Sequence, residues 1–293
     1  MADFFQFVVA GLTQGSIYAL VGVGFHIIYS ATKVINFAQG DQVVLGGLIA
    51  LMLLQTVGLP LAIAIIGAVL IGAVIGLAYE RFALRPTYKN GELATIVATI
   101  GASILLFHGS GLIWGRTSKP FPVFSGQPNE VINLFNVKIL VQSLWVYGLL
   151  IIALLALYYF FGKTIEGQAI RAASYNEIAA KLVGISVERS RAYSLALAAG
   201  LAALAGVMMA PITLAGGAIG VPIAIKGFAG AIVGGIDKTG GAVAGGLIVG
   251  VVEAFAAGFL SSGLRDPAVF ALLLLALLVR PDGIFGTKTI SKV

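Results

Sequence analysis

Asn36, Gln39 and Asp41 fall within eight residues, VINFAQGD (34–41), of an otherwise apolar stretch, with Gly40 among them. Two carboxamides and a carboxylate so spaced are hydrogen-bonding groups rather than a catalytic set, since no nucleophile with a nearby base accompanies them. Backbone that leaves the helical ladder inside lipid must find partners in protein or water. Glycine and small amides therefore predict a discontinuous helix lining a cavity, with Gly40 permitting the break. Asn36 and Gln39 can cap freed backbone groups or hydrogen-bond a polar solute, and both readings stay open. For Asp41 there is also helix capping, because a carboxylate at a helix N-terminus is favoured by about 0.3 to 1 kcal/mol.

Glu253, in GLIVGVVEAFAAGFL, is the other conspicuous group. A carboxylate at mid-span costs at least about 2.5 kcal/mol, so it must face a partner or a cavity or be protonated. A functional role and a structural bond to a neighbouring helix are both consistent with that. His26 lies near the end of its span and reads as a hydrogen-bonded or snorkelling residue. His108, the only other histidine, is far along the chain, and there is no cysteine, so neither a metal site nor another bound cofactor is expected. Lys238 and Thr239 follow Asp237 in IVGGIDKTGGAVAGG, which fails the Walker A pattern. The glycines of 214–220, 232–246 and 245–250 instead suit close helix packing. The chain is thus read as a non-enzyme.

The elements that must hold these groups follow from composition. The 293 residues are 59% hydrophobic and only 10% charged, too few charges to wet a soluble surface, and mean hydropathy is +1.03. This predicts an all-α polytopic membrane protein. Spans of roughly 20 apolar residues are expected near 4–29, 41–57, 60–82, 93–114, 139–161, 192–214, 241–262 and 267–280. A ninth segment, 222–236, reads as a short span or a re-entrant hairpin. The MADFF start lacks a basic n-region, so no cleaved signal peptide is expected.

Placing the N-terminus outside puts Lys33, Arg81, Arg85, Lys89, Lys163, Arg171, Lys181, Arg189, Arg191, Lys238, Arg280, Lys288 and Lys292 on the inner side, thirteen of 18 basic residues. The positive-inside bias therefore favours N-out, C-in and accounts for the net charge of +6 without a nucleic-acid partner. Residues 115–138 become the largest outer loop and 162–191 the largest inner one. Phe-Ala followed by glycine and then Gly-Gly recurs in KVINFAQGDQVVLGG (33–47) and PIAIKGFAGAIVGG (222–235). The chain is read as one permease-like domain over 1–293 whose possible halves, 1–161 and 192–280, would be inverted repeats joined by 162–191. Within that loop, RAASYNEIAAKLVGI (171–185) reads as a short amphipathic surface helix with Ala172, Tyr175, Ala179 and Leu182 on one side, fit to dock into a protein groove or to lie on the membrane.

At these residues a resemblance emerges. AAKLVGI carries the Ala-Ala-x-x-x-Gly core of the coupling loop of ABC importer permeases. GSIYALVGVGFHIIYSATKVINFAQGD, GQAIRAASYNEIAAKLVGI with LAALAGV, VGGIDKTGGAVAGGLIVGVVE and RPDGIFG, in that order, resemble the permease family for branched-chain amino acids over nearly the full length. One departure is that Ile178 stands where the wider pattern has glutamate, and Glu177 precedes it.

The resemblance implies one half of a heterodimeric pore in a bacterial inner membrane, in contact with lipid and without nucleic acid. Its partners would be a second permease, two ATP-binding subunits and a periplasmic or extracellular binding protein. By the same resemblance, Arg171, Asn176, Glu177, Ala179, Ala180 and Gly184 would couple to the ATPases. Asn36, Gln39, Gly40, Asp41, Gly216, Gly217 and Glu253 would line or gate the path. Leucine, isoleucine and valine are the expected solutes, with urea, short amides or other amino acids as the alternative. The rival classes are an ion-coupled secondary transporter, which the scarcity of intramembrane charge disfavours, and a channel, which would need a pore-lining ring of polar groups that the sequence does not show.

Overall fold

Apolar runs long enough to cross lipid fold as helices because only there can every backbone N–H and C=O find a partner within the segment. A computed structural model describes residues 2–127, 130–134, 137–217 and 219–286. In chain order the elements are α1 (Ala2–Thr32), α2 (Gln39–Gln55), α3 (Leu61–Tyr79), α4 (Glu92–Trp114), β1 (Val131–Leu134), β2 (Val137–Leu140), α5 (Val141–Lys163), α6 (Ile165–Tyr175), α7 (Glu177–Leu182), α8 (Val187–Thr213), α9 (Gly220–Gly234), α10 (Thr239–Phe255) and α11 (Arg265–Val279). Seven helical stretches among the described residues are long and apolar enough to span, and α2 and α9 are shorter apolar helices. The all-α polytopic membrane fold is as expected; of the eight or nine spans expected, seven described helices reach spanning length and α2 and α9 fall short of it. Lys288 and Lys292, counted toward the inner side, lie outside the described residues.

α1 is the hub: it packs against α8, α9 and α10, while α8 also packs on α2 and α3. Small residues permit this. Gly15 of α1 meets Gly250 of α10, and Ala19 meets Gly246, backbone against backbone, so the glycines of 241–250 do serve close helix packing. Leu105 and Leu112 of α4, Ile152 of α5 and Leu278 of α11 are exposed. So continuous an apolar exterior would be an aggregation liability in water, and in a bilayer it is the face that meets lipid.

Three boundaries differ from the sequence reading. The helix expected to end near 82 continues from α3 through a π-helical turn, Glu80–Leu84, and a 3-10 turn to Asn90. The amphipathic helix expected over 171–185 is two helices, broken at Asn176. The loop expected outside, 115–138, runs into an antiparallel hairpin in which Val131 pairs with Leu140 and Leu134 with Val137. Gln6 of α1 clamps that hairpin by bonding both the N–H and the C=O of Lys138.

Candidate functional site

The interior break lies earlier than expected. α1 ends at Thr32, Lys33 takes a left-handed φ of 58°, and Asn36 organises the turn by accepting the Ala38 N–H at 3.1 Å. The chain then climbs back, so that Gln39 sits beside Gly24 and donates to the Ala198 carbonyl of α8 at 3.3 Å. Gly24 is eight residues before Thr32, so the Gln39 amide lies about 12 Å back along α1 from its end, inside the bundle. Gly40 is therefore helical and does not make the break. It allows the first turns of α2 and α9 to touch, because a Cβ there would run into the Gly220 carbonyl.

The amides are wholly buried and spent on protein partners. Tyr79 donates its hydroxyl to Asn36 Oδ1 at 2.9 Å, and Asn36 Nδ2 donates to Gln39 Oε1 at 3.4 Å. Asp41, in the first turn of α2, does not cap it by a side-chain bond; it accepts from Ser103 of α4. Gln42, the next residue, is buried and its Oε1 has no partner among the described residues. Sequence reasoning passed over Gln42 because α2 reads as a uniformly apolar span from there on.

α9 mirrors this arrangement. α8 ends at Thr213, and the link after it carries Gly216 beside Leu48 and Gly217 beside Ser118, with Ala215 paired to Lys119 of the segment after α4. The chain then turns back to start α9 against Gly40. Two helices running in opposite senses thus begin inside the bundle with their N-termini together. Gly216 and Gly217 are not adjacent to Asn36; Gly216 lies against the middle of α2, at Leu48, and Gly217 against Ser118.

Glu253 belongs to a separate cluster. Tyr18 of α1 donates to its Oε2 at 2.7 Å, and Lys226 of α9 pairs with Oε1 at 2.8 Å. Lys226 also pairs with Asp266 at 2.8 Å, at the start of α11. The carboxylate thus has both a hydrogen-bond donor and a counter-ion. Nothing local in the sequence marks Lys226, because its segment, 222–236, reads as a short span or a re-entrant hairpin. His26 Nδ1 donates to the Ile236 carbonyl at 2.6 Å, and among the described residues no three metal-ligating side chains gather.

The loop of 164–186 is built by capping. Thr164, Asn176 and Ser186 each accept a backbone N–H of the helix they precede, at 3.0, 3.0 and 3.4 Å. Glu177 bonds Lys181 at 2.9 Å and Arg191 of α8 at 2.8 Å. These cations, with Lys181 the larger influence, hold the Glu177 carboxyl below the usual carboxylate range. Ala180 is buried under α7, whereas Ala179 is exposed. Gly184 ends the unit at a φ of 83° that L side chains rarely adopt. Arg171 is a turn away from α7 on α6 and donates to the Phe161 carbonyl at 3.4 Å.

Around this frame Tyr175, Leu182 and Ile178 are 95%, 83% and 74% exposed on a pair of helices outside the spans. Arg191, which sequence counted only as a positive charge, proves to be the junction: it also donates to the Ala31 carbonyl at 3.3 Å and lies 4.7 Å over the Tyr88 ring.

Comparisons with known proteins agree with this architecture. The family model described as branched-chain amino acid transport system / permease component matches residues 7–280. The high-affinity branched-chain amino acid transport system permease protein LivH of Salmonella typhimurium is 34% identical across 99% of this chain and 98% of its own length. BraD of Pseudomonas aeruginosa, a permease protein with the same printed description, is 31% identical over the same shares. Among solved structures, PsaBC from Streptococcus pneumoniae in complex with Fab aligns with a TM-score of 0.51 at 16% identity, covering 94% of this chain and 91% of that one, a likeness of fold alone.

Proposed function

The chain belongs to the family of branched-chain amino acid transport system permease components, and on that premise we propose that it is the transmembrane subunit of an ATP-driven importer passing leucine, isoleucine and valine into the cytoplasm. The relatives' printed names support the solute class. Hydrolysis of ATP falls to separate subunits in this reading, the chain itself being a transport subunit and no enzyme. A second permease completes the pore, and an extracellular or periplasmic binding protein delivers solute to the face bearing the β1–β2 hairpin. The membrane is the bacterial inner membrane, with the N-terminus outside and the α6–α7 pair and C-terminus in the cytoplasm.

The observation that carries the coupling role is the apolar tip of α6–α7. Tyr175, Ile178 and Leu182 stand nearly free of the fold that presents them. Single exposed apolar residues are ordinary, but three on a capped, water-facing helix pair suit a groove in a partner protein. From there a mechanical chain leads inward. Glu177 ties α7 to Arg191 of α8, Arg191 ties α8 to the end of α1, and Ala198 of the same α8 holds Gln39. A push on α7 therefore acts on both sides of the break at 33–38. Arg171, Asn176, Glu177, Ala179, Ala180 and Gly184 form the coupling unit in this account.

The path is assigned to the region where α2 and α9 begin and to the link at Gly216 and Gly217. Facing helix N-termini present partial positive charge, which suits the carboxylate of an amino acid. Asn36 and Gln39 shape the turn, Gly40 and Asp41 fix the start of α2, and Gln42 Oε1 offers an unpaired acceptor for an ammonium group. Glu253 holds α1, α9 and α10 in register around them. The opposed sense of α1–α2 and α8–α9 supports the reading of inverted halves 1–161 and 192–280 joined by 162–191.

The test is affinity purification from native membranes through a C-terminal tag, with mass spectrometry of what accompanies the chain. Walker-motif ATPases and a second permease are expected, and repeated recovery of the folded chain alone would overturn the reading. Gly184→Trp should abolish leucine uptake while the protein still reaches the membrane, since no bulky residue fits that φ. Normal uptake in that variant removes the coupling role.

A further inference from the structure

A cavity of about 830 Å³ opens where the end of α1, the end of α5, α6 and the start of α10 come together. Its wall has two chemical zones. Lys33, Arg171 and Lys238 contribute cations, and Leu154, Leu157 and Leu247 line the part that runs into the spans. None of the three cations is ion-paired with a described residue, in contrast to Arg85, Lys181, Arg191 and Lys226. Lys33 lies 5.8 Å from the Tyr29 ring centroid and Arg171 bonds only a backbone carbonyl. One carboxylate shares the wall, Asp237, which has a partner of its own. Three cations against one acid leave the site with an excess of positive charge.

Neither zone makes sense alone. Unpaired cations beside an apolar slot are costly to leave facing hydrocarbon, and an apolar slot of this size is costly to leave facing water. A ligand with an anionic head and apolar chains satisfies both. Basic pockets between spans at the level of the headgroups are suited to anionic lipid. We propose that this cavity binds an anionic phospholipid of the adjoining leaflet, its phosphate among Lys33, Arg171 and Lys238 and its chains against Leu154, Leu157 and Leu247. The lipid would fill the gap between α5 and α10 and steady α6, on which Arg171 is carried. The assignment borrows from the importer reading only the name of the leaflet, the cytoplasmic one.

Native mass spectrometry of the full chain, with whatever subunits copurify, tests this after delipidation and titration with phosphatidylglycerol, phosphatidylcholine or soluble glycerol phosphate. Phosphatidylglycerol should bind roughly tenfold or more tightly than phosphatidylcholine. Lys33→Gln with Lys238→Gln should remove most of that preference, and glycerol phosphate should neither bind nor compete. Leu157→Trp, which fills the slot and keeps every cation, should weaken phosphatidylglycerol as well. Equal binding of the two lipids, an undiminished preference in the double variant, or glycerol phosphate binding as well as the lipid would each overturn the proposal. None of these outcomes bears on whether ATPases copurify, so this proposal and the importer reading fail separately.

Discussion

The two loop helices α6 and α7, and the span α8 that follows them, each begin on a side-chain cap, whereas α2 and α9, which begin inside the bundle, have none. In water a helix N-terminus can be satisfied locally, by the residue just before it. Inside the bundle it is placed instead by groups far away in sequence: Tyr79 and Ala198 hold the amides, Ser103 holds Asp41, and Gly220 abuts Gly40. The loop is thus a self-contained piece that can be moved as a unit. The break is a meeting point whose geometry depends on where α1, α3, α8 and α9 stand. On the proposed function the loop would be the handle that keeps its shape, and the break the joint that does not.

The joint should be the more easily destroyed of the two. Even Gly40→Ala puts a Cβ into the Gly220 carbonyl, and Gly40→Leu adds three more carbons where no space exists. The expected cost is about 3 kcal/mol, or no folded protein at all for leucine. Thermal melting in detergent followed by size-exclusion chromatography measures it. A Gly40→Leu protein that melts like the parent would mean that the neighbours do not place the break.

Next comes the charged part of the interior. Lys226→Met leaves Glu253 with Tyr18 as its remaining partner and frees Asp266, at an expected cost of about 3 kcal/mol, since one charge of a mostly buried pair is left behind. Adding Glu253→Gln should recover most of the loss. If the double variant is no better than the single one, the cluster is not a pair held by charge. Asn36→Leu makes a useful contrast, because it removes an amide from a neutral network and leaves only hydrogen-bond partners unsatisfied, about 1 to 3 kcal/mol.

How legible each part was follows the same division. The spans could be placed within a few residues because their signal is local apolar length. The loop motif was legible because caps, helix formers and the Ala-Ala-x-x-x-Gly core sit next to one another. Even there the break at Asn176 was missed, since Asn reads as tolerable within a helix until its side chain is seen bonding Ala179 N–H. The interior was legible only in kind. Asn36, Gln39 and Asp41 announce a break, but its position, at Lys33 and not at Gly40, depends on Gly220, 180 positions away in the chain. Glu253 stands out within its own apolar span, yet its pairing with Lys226 needs α9 beside α10. Arg191 carried no local signal at all, because its three contacts lie on α7, α1 and the turn at Tyr88.

The handle can be perturbed more gently. Asn176→Ala removes the cap of α7 and should cost about 1 kcal/mol, localised to 177–184, with uptake reduced and the spans unaffected. Hydrogen exchange resolved by segment distinguishes this from a global loss: faster exchange confined to 177–184 supports a self-contained unit, and faster exchange across α1 and α8 as well contradicts it.

The smallest effect is the pH dependence of the tie between handle and bundle. Glu177 is held below the usual carboxylate range by Lys181 first and by Arg191. A carboxyl with a depressed folded-state value contributes stability above its unfolded value and loses it as pH falls through the folded one. Glu177 is partly exposed, so its contribution is screened and should stay below about 1 kcal/mol. Comparing the parent with Glu177→Gln across pH isolates it. The difference in stability should be constant near neutrality, shrink as pH drops below the ordinary carboxylate range, and vanish once both proteins carry a neutral side chain. A difference that is the same at acid and neutral pH would mean that Glu177 holds α7 by packing and not by charge. In that case the route from α7 to the break would run through Ala180 and the apolar underside of the helix rather than through Arg191.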